Sequence, residues 1–269
     1  MIMIMMIILI FISSPFPHHT SVHITSRILT WDYTVSNPDD LINAPQQISH
    51  LTILNNTCNE NEFNQLNMTG FSNLKKIHIG ENALGNVHDF TITGVNNLTN
   101  LVIDQGSLGN LTKLSVGNDS LSALSELNLS PFENLTSIST GSYSMLSLAS
   151  FNISKLSKLE TFLVGDHSLL QAPSLSLQDS SNLQSVIVGN EAFVNGTAFV
   201  LGKSNTLTNI QIGDGCFTGF KKGGNGGSGG DDEDENAFGF VMSGYEGLEN
   251  IQLGKGSFTY FDKFEVSGR

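Results

Sequence analysis

Carboxylates recur along the chain at Glu81, Asp104, Asp119, Asp166, Glu191 and Asp214. A row of this kind could hold calcium, which takes several oxygen ligands converging at short distance. Here they come about one at a time, at an offset that wanders by a residue or two. That suits solvated turn residues better than a metal site. His18, His19 and His23 cluster near the N-terminus without a cysteine or carboxylate beside them. No metal and no cofactor is expected. Cys58 and Cys216 are too far apart in sequence to suggest a disulfide framework, and Cys216, next to Phe217, is expected to pack as a small apolar residue. The chain has no Gly-x-Ser-x-Gly elbow, P-loop or His-Glu-x-x-His motif, so it is not expected to be an enzyme. Nine Asn-x-Ser/Thr sequons, at Asn55, Asn67, Asn97, Asn110, Asn118, Asn128, Asn134, Asn152 and Asn195, would accept glycans in an exported chain. Three of them, Asn97, Asn110 and Asn134, share one turn position, where asparagine suits tight backbone geometry.

What positions these groups is a repeat. The lines LKKIHIG at Leu74, LTKLSVG at Leu111, LQSVIVG at Leu183, LTNIQIG at Leu207 and LENIQLG at Leu248 share the pattern L-x-x-I-x-I-G. A bulky apolar residue follows ten positions after each leading leucine, as at Leu84, Leu121, Met145, Leu169, Phe193, Phe217 and Phe258. An apolar pair comes at offsets 16 and 18, as in Phe90/Ile92, Leu127/Leu129, Phe151/Ile153 and Phe199/Leu201. Alternation of apolar and polar residues is strand periodicity with one face buried, and no unit carries a helical stripe. A single unit cannot bury its own apolar face, whereas stacked units can. Glycine recurs after the strand, at Gly80, Gly117, Gly141, Gly165, Gly189, Gly213 and Gly254. It implies either unusual backbone angles or close approach of the next coil.

Counting leading residues gives nine coils, at Ile48, Leu74, Leu98, Leu111, Leu135, Leu159, Leu183, Leu207 and Leu248. The Leu98 coil is only 13 residues long, which implies a kink or a lost piece. The Leu207 coil contains KKGGNGGSGGDDEDEN, residues 221–236, too polar and glycine-rich to form a core and expected to be a disordered loop. The expected architecture is a β-rich solenoid with a parallel sheet on one face and short extended segments opposite. It spans residues 48–269 behind a cap segment, residues 27–47, in which Trp31 covers the first coil.

Residues 1–26 are expected to be a leader. The apolar run Met1 to Ile12 is too short to span a bilayer, which needs about 20 residues. It suits the core of a signal peptide, although no Lys or Arg precedes it. A secreted or cell-surface location follows if the leader works, and a cytoplasmic one if it does not. No other segment is apolar enough for a transmembrane span. The hydrophobic fraction of 39% with 14% charged residues is that of a folded chain. A net charge of −13 with 12 Lys and Arg excludes the positive field that nucleic acid requires.

The pattern L-x-x-I-x-I-G-x-x-(S/A)-(F/L), best seen in GNEAF, GDGCF and GKGSF, resembles leucine-rich repeats and is most similar to the BspA-like surface class. The resemblance implies a solenoid that binds other molecules on an exposed face. Outward strand positions are then the natural binding face: His50, Lys76, His78 and Lys113 at a slightly basic end, an apolar patch at Leu163 and Ile187, and the amides Asn209, Gln211, Asn250 and Gln252. The expected function is recognition or adhesion toward a protein or glycan. The alternatives are a parallel β-helix enzyme acting on polysaccharide, which would need acidic groups clustered on a strand face, or a fragment of a larger repeat protein.

Overall fold

The computed structural model describes residues 20–25, 28–219, 239–243, 245–261 and 263–267. The apolar run, His18, His19 and the 221–236 insertion lie outside the described residues. The chain is a parallel β-solenoid of about eight turns. It opens with an antiparallel pair, β1 (Thr20–Thr25) and β2 (Ile28–Val35), and a short helix α1 (Pro38–Ile42). β1 therefore falls inside the stretch assigned to a leader. Asn37 caps α1 by accepting from the Asp40 N–H, and Trp31 packs against the core while its N–H donates to Ser49 Oγ.

Each turn then contributes two strands. One wall carries β3 (His50–Ile53), β5 (Lys76–Ile79) and β7 (Asn100–Ile103) beside β2, then β9 (Glu126–Asn128) with β11 (Ser150–Asn152), then β13 (Ser174–Leu177), β15 (Ala198–Leu201), β17 (Gly239–Ser243) and β19 (Lys263–Ser267). The other wall is one unbroken sheet of eight: β4 (Gln65–Thr69), β6 (Asp89–Thr93), β8 (Lys113–Val116), β10 (Ser137–Thr140), β12 (Thr161–Val164), β14 (Ser185–Val188), β16 (Asn209–Ile212) and β18 (Asn250–Leu253). Inward residues of both walls, such as Leu66, Ile77, Phe90, Leu114, Phe162 and Phe199, meet in a single core.

The 13-residue Leu98 segment is neither a kink nor a deletion. It is half of the third turn, and Leu111 opens the other half, so nine leading residues share eight turns. A regular turn here combines a half of 13 residues with a half of 11, as in Leu135 to Leu148 to Leu159. At Leu98 one 13-residue half follows directly by another. The strand of the L-x-x-I-x-I-G line consequently changes wall: β3, β5 and β7 lie on one side, and β8, β10, β12, β14, β16 and β18 on the other. β8 pairs in register with β6, which belongs to the offset-16 pair of an earlier turn.

The turn after each such strand is built from left-handed residues two apart: Asn82/Leu84, Asp119/Leu121, Tyr143/Met145, His167/Leu169 and Glu191/Phe193. The first donates its N–H forward, as Tyr143 does to Asp166 O at 2.9 Å; the second donates backward, as Met145 does to Ser120 O at 2.9 Å. Left-handed backbone costs a side-chain-bearing residue about 1–2 kcal/mol. The second residue is fully buried in every one of these turns, which returns about 1.5–3 kcal/mol for a large apolar side chain. Burial wins, so leucine or phenylalanine holds a position whose φ favours glycine. The glycines after the strands serve the other purpose, close approach of successive turns.

Between the two left-handed residues sits a small one whose side chain bonds the preceding turn. Ser144 Oγ donates to Gly117 O (2.6 Å), Ser168 Oγ to Gly141 O (2.8 Å) and Ser257 Oγ to Gly213 O (2.7 Å). The same oxygens accept from the turn before, as Ser168 Oγ does from Ser144 N. Ala192 interrupts this column. Ala192→Ser is expected to stabilise the chain by about 1 kcal/mol, the net worth of the added hydrogen bonds. Thermal unfolding followed by circular dichroism reads this as a rise of about 2–4 °C; a fall would mean that the site has no room for the hydroxyl.

Candidate functional site

The residues expected to form one binding face are divided between the two walls. His50, Lys76 and His78 lie on β3 and β5, whereas Lys113, Leu163, Ile187, Asn209, Gln211, Asn250 and Gln252 lie on β8 to β18. The change of wall at Leu98 separates them, so the basic end is not continuous with the amide rows. His50, Lys76 and His78 line a shallow groove of about 480 Å3 together with Asp32, Thr34 and Val102. His50 Nδ1 lies 2.6 Å from Asp32 Oδ1, and His78 Nε2 lies 2.8 Å from Asp104 Oδ2.

On the eight-stranded sheet, outward side chains bond along the stack. Thr161 Oγ1 donates to Ser137 Oγ (2.9 Å), Asn209 Nδ2 to Ser185 Oγ (3.1 Å) and Asn250 Nδ2 to Asn209 Oδ1 (2.8 Å). Leu163 stands directly opposite Ile187 in the ladder. Leu163 is 41% exposed and Ile187 half-buried, so these two apolar side chains are neighbours between polar rows. Gln211 and Gln252 line a second groove of about 450 Å3 that reaches Lys255. Asp32, Asp89 and Glu126 also take strand positions at the surface, on β2, β6 and β9, which lie outside the L-x-x-I-x-I-G lines from which the sequence points to an outward face.

The recurring carboxylates act locally. Asp166 Oδ1 accepts from Asn190 N (2.7 Å) and Asp214 Oδ1 from Lys255 N (2.6 Å). Glu191 pairs with His167 at 3.1 Å, whose ring stacks on Tyr143 at 4.7 Å. Among the described residues no group of three or more His, Cys, Asp or Glu gathers as a metal site.

Sequon asparagines fall into two kinds. Asn97, Asn110 and Asn134 donate Nδ2 to Ser72 O, Gly85 O and Gly109 O of the preceding turn at 2.7–2.8 Å, and Asn195 donates Nδ2 to Gln171 Oε1. Asn128 and Asn152 instead use Oδ1 to accept from Ser130 and Ser154, Asn67 Oδ1 accepts from Thr69 Oγ1, and Asn55 and Asn118 accept from Glu81 N and Ser142 N. Among the described residues these five leave Nδ2 free of a partner.

Cys58 and Cys216 are both free and buried. Burial pushes each thiol up to about 11, so neither is a thiolate nucleophile at neutral pH. Both are expected to resist iodoacetamide at pH 8 in the folded chain and to react once it is unfolded, as mass spectrometry can read. The sign for stability follows. A folded pKa above the unfolded value of 9 favours folding fully below pH 9, and that contribution is lost as pH rises from 9 to 11. Rapid labelling of either thiol in the native chain would contradict the buried column.

A cavity of about 610 Å3 forms a notch in the broken wall between β7 and β9, lined by Leu101, Ile103, Asp104, Leu127, Asn128 and Phe132 among others. β7 is the last strand of its sheet and β9 the first of the next. A 13-residue half bearing the Gly106–Leu108 turn lies here beside an 11-residue half that turns at Pro131, so the strands do not come into register. At β6 and β8 the same mismatch is accommodated, with Gly94 N donating to Ser120 Oγ at 2.9 Å. The second break, between β11 and β13, has a simpler cause. Pro173 stands where His88, Ala149 and Thr197 donate to the preceding turn, and proline has no N–H. Compared with family models and with curated proteins, the chain matches none.

Proposed function

We propose that the chain is a non-enzymatic recognition or adhesion protein of the leucine-rich-repeat kind, secreted or displayed at a cell surface, that binds a protein or glycan through its solenoid walls. The observation that supports this reading is the outward face of the eight-stranded sheet. Eight strands in register, at about 4.8 Å each, give a platform roughly 34 Å long. Its amides and hydroxyls are held by their neighbours along the stack, so little side-chain entropy is left to lose on binding. At its centre the Leu163–Ile187 pair offers the exposed apolar contact that often marks an interface.

The test uses the whole purified chain against an array of glycans and of extracellular proteins. Binding that falls at least about tenfold in Leu163→Glu/Ile187→Glu, with thermal stability unchanged, supports the reading. Release of new reducing ends from any polysaccharide would overturn it in favour of an enzyme. Export is tested in the same cells: passage through a eukaryotic secretory route is expected to place glycans on Asn128 and Asn152 in preference to Asn97, Asn110 and Asn134. Retention of an unmodified chain in the cytosol would remove the location.

A further inference from the structure

We infer that the notch between β7 and β9 is a docking cleft for one extended peptide strand of a partner protein, apolar at alternate positions and ending in a basic residue. The inference rests on the reading of the chain as a binding protein but places the contact on the other wall, away from Leu163 and Ile187. Among the described residues no ladder pairing or backbone hydrogen bond joins β7 to β9. The flanking bonds show which groups are left over. Asn100 and Asp104 donate to Lys75 and Ile79, so the alternate residues Leu101 and Ile103 turn their N–H and C=O toward the notch. Leu129 donates to Asn152 and Ser150 to Ser125, so Glu126 and Asn128 do the same from the far side. Unpaired strand edges are templates for another strand, and here two edges face one space.

The walls of that space choose among occupants. Leu101 and Ile103 are only half-buried, and Val102 at the rim is 40% exposed, although equivalent inward residues elsewhere in the wall, such as Ile77 and Ile79, are buried. Leu127 and Phe132 close the other side. An inserted strand parallel to β7 would direct alternate side chains onto this apolar floor and the rest outward. Strand addition of this kind takes affinity from the main chain and specificity from pockets for alternate side chains. Among the described residues Asp104 is the one charged residue lining the notch; its Oδ2 meets His78 Nε2 at 2.8 Å, and its carboxylate remains 39% exposed to a further cation. Glu126 and Glu133 are exposed beside the notch, and the chain carries a net charge of −13. Asp104 follows β7, so the matching basic residue belongs at the C-terminal end of the incoming strand. A glycan would leave the two rows of backbone groups without a matching repeat.

The probe is an acetylated, amidated and fluorescently labelled hexapeptide that alternates threonine and valine and ends in lysine. Fluorescence anisotropy with the full chain is expected to show saturable binding, and the amides of Leu101, Ile103, Glu126 and Asn128 are expected to gain protection from hydrogen exchange. N-methylation of the threonine amides removes the bonds donated to one edge and sets a methyl group against it, and that of the valine amides does the same at the other. Each is expected to weaken binding by about tenfold or more, since several hydrogen bonds are lost. Asp104→Asn is expected to weaken it about twofold to fivefold, as for an exposed charge pair. Full-strength binding of either methylated peptide would mean addition to a single terminal edge and would overturn the inference. So would no binding at all, or protection of the same four amides by a neutral oligosaccharide such as chitohexaose. Leu163→Glu/Ile187→Glu is expected to leave peptide binding unchanged, which separates the two sites.

Discussion

Replacing Phe217 with alanine is expected to destabilise the chain by about 3–5 kcal/mol, the range for removing a buried aromatic ring. Phe217 is fully buried and sits in a column that crosses turns. It stacks on Phe193 at 5.0 Å and on Phe258 at 5.2 Å, and meets Phe199 edge-on at 5.3 Å. Phe199 in turn stacks on Phe240, and Phe240 on Phe264. Such pairs add about 0.5–1.5 kcal/mol beyond the area they bury. Gly196 lies against the ring, and a methyl group there would come within 2.6 Å of it. Glycine has no side chain to swing into the space a truncation leaves, so the cavity stays open and the cost belongs in the upper half of the range. The left-handed φ of 51° gives alanine no relief that would offset this. Phe217→Leu places here what Leu121 and Leu169 already supply at earlier turns of the same column, and is expected to cost under about 1.5 kcal/mol. Urea denaturation of the two variants beside the parent checks the pair. An alanine variant as stable as the leucine variant would mean that the phenylalanines do not share one core.

The column containing Phe217 was legible in the sequence because its members recur at a fixed offset from a leading leucine. The strands, their inward residues and the parallel stacking follow from the same recurrence. Which wall a strand occupies does not. It depends on the summed lengths of all preceding halves, so the single 13-residue step from Leu98 to Leu111 moves Lys113 to the opposite side from Lys76 while their local sequences look alike. The division of the expected binding face is that one step, carried forward. The sequence alone allows glycine two roles, and the stacking of turns separates them: positive φ falls on Gly70, Gly94, Gly106, Gly215, Gly219 and Gly256, whereas the glycines that end the L-x-x-I-x-I-G strands are pressed against the previous turn. The notch was not legible either. Its cause is a mismatch between halves that become neighbours only after a full turn. Pro173 could have announced the second break, since a proline inside a strand pattern marks a missing donor.

Gly165→Ala is expected to cost about 3 kcal/mol or more, at or beyond the upper end of ordinary overpacking. A Cβ on Gly165 would lie 2.5 Å from Ser142 N and 2.6 Å from Gly141 O, both backbone atoms of the turn before. No rotamer change can relieve a clash between Cβ and main chain. The turns would have to separate, at the point where Gly165 N donates to Thr140 O at 3.0 Å and Gly189 N to Val164 O at 2.8 Å. From Gly141 onward each glycine of the column rests on the one before it, since Gly189 meets Gly165 and Gly213 meets Gly189 in the same way. A shift at Gly165 is therefore passed to the next turn instead of being absorbed locally. Gly256→Ala supplies the contrast. Its φ of +74° is left-handed and nothing lies within 4 Å of its Cβ position, so its cost is conformational alone, about 1–2 kcal/mol. Urea midpoints of the two variants separate steric from conformational glycine in one fold. If Gly165→Ala proved no more damaging than Gly256→Ala, the turns would not be in the close contact that sets the spacing of this solenoid.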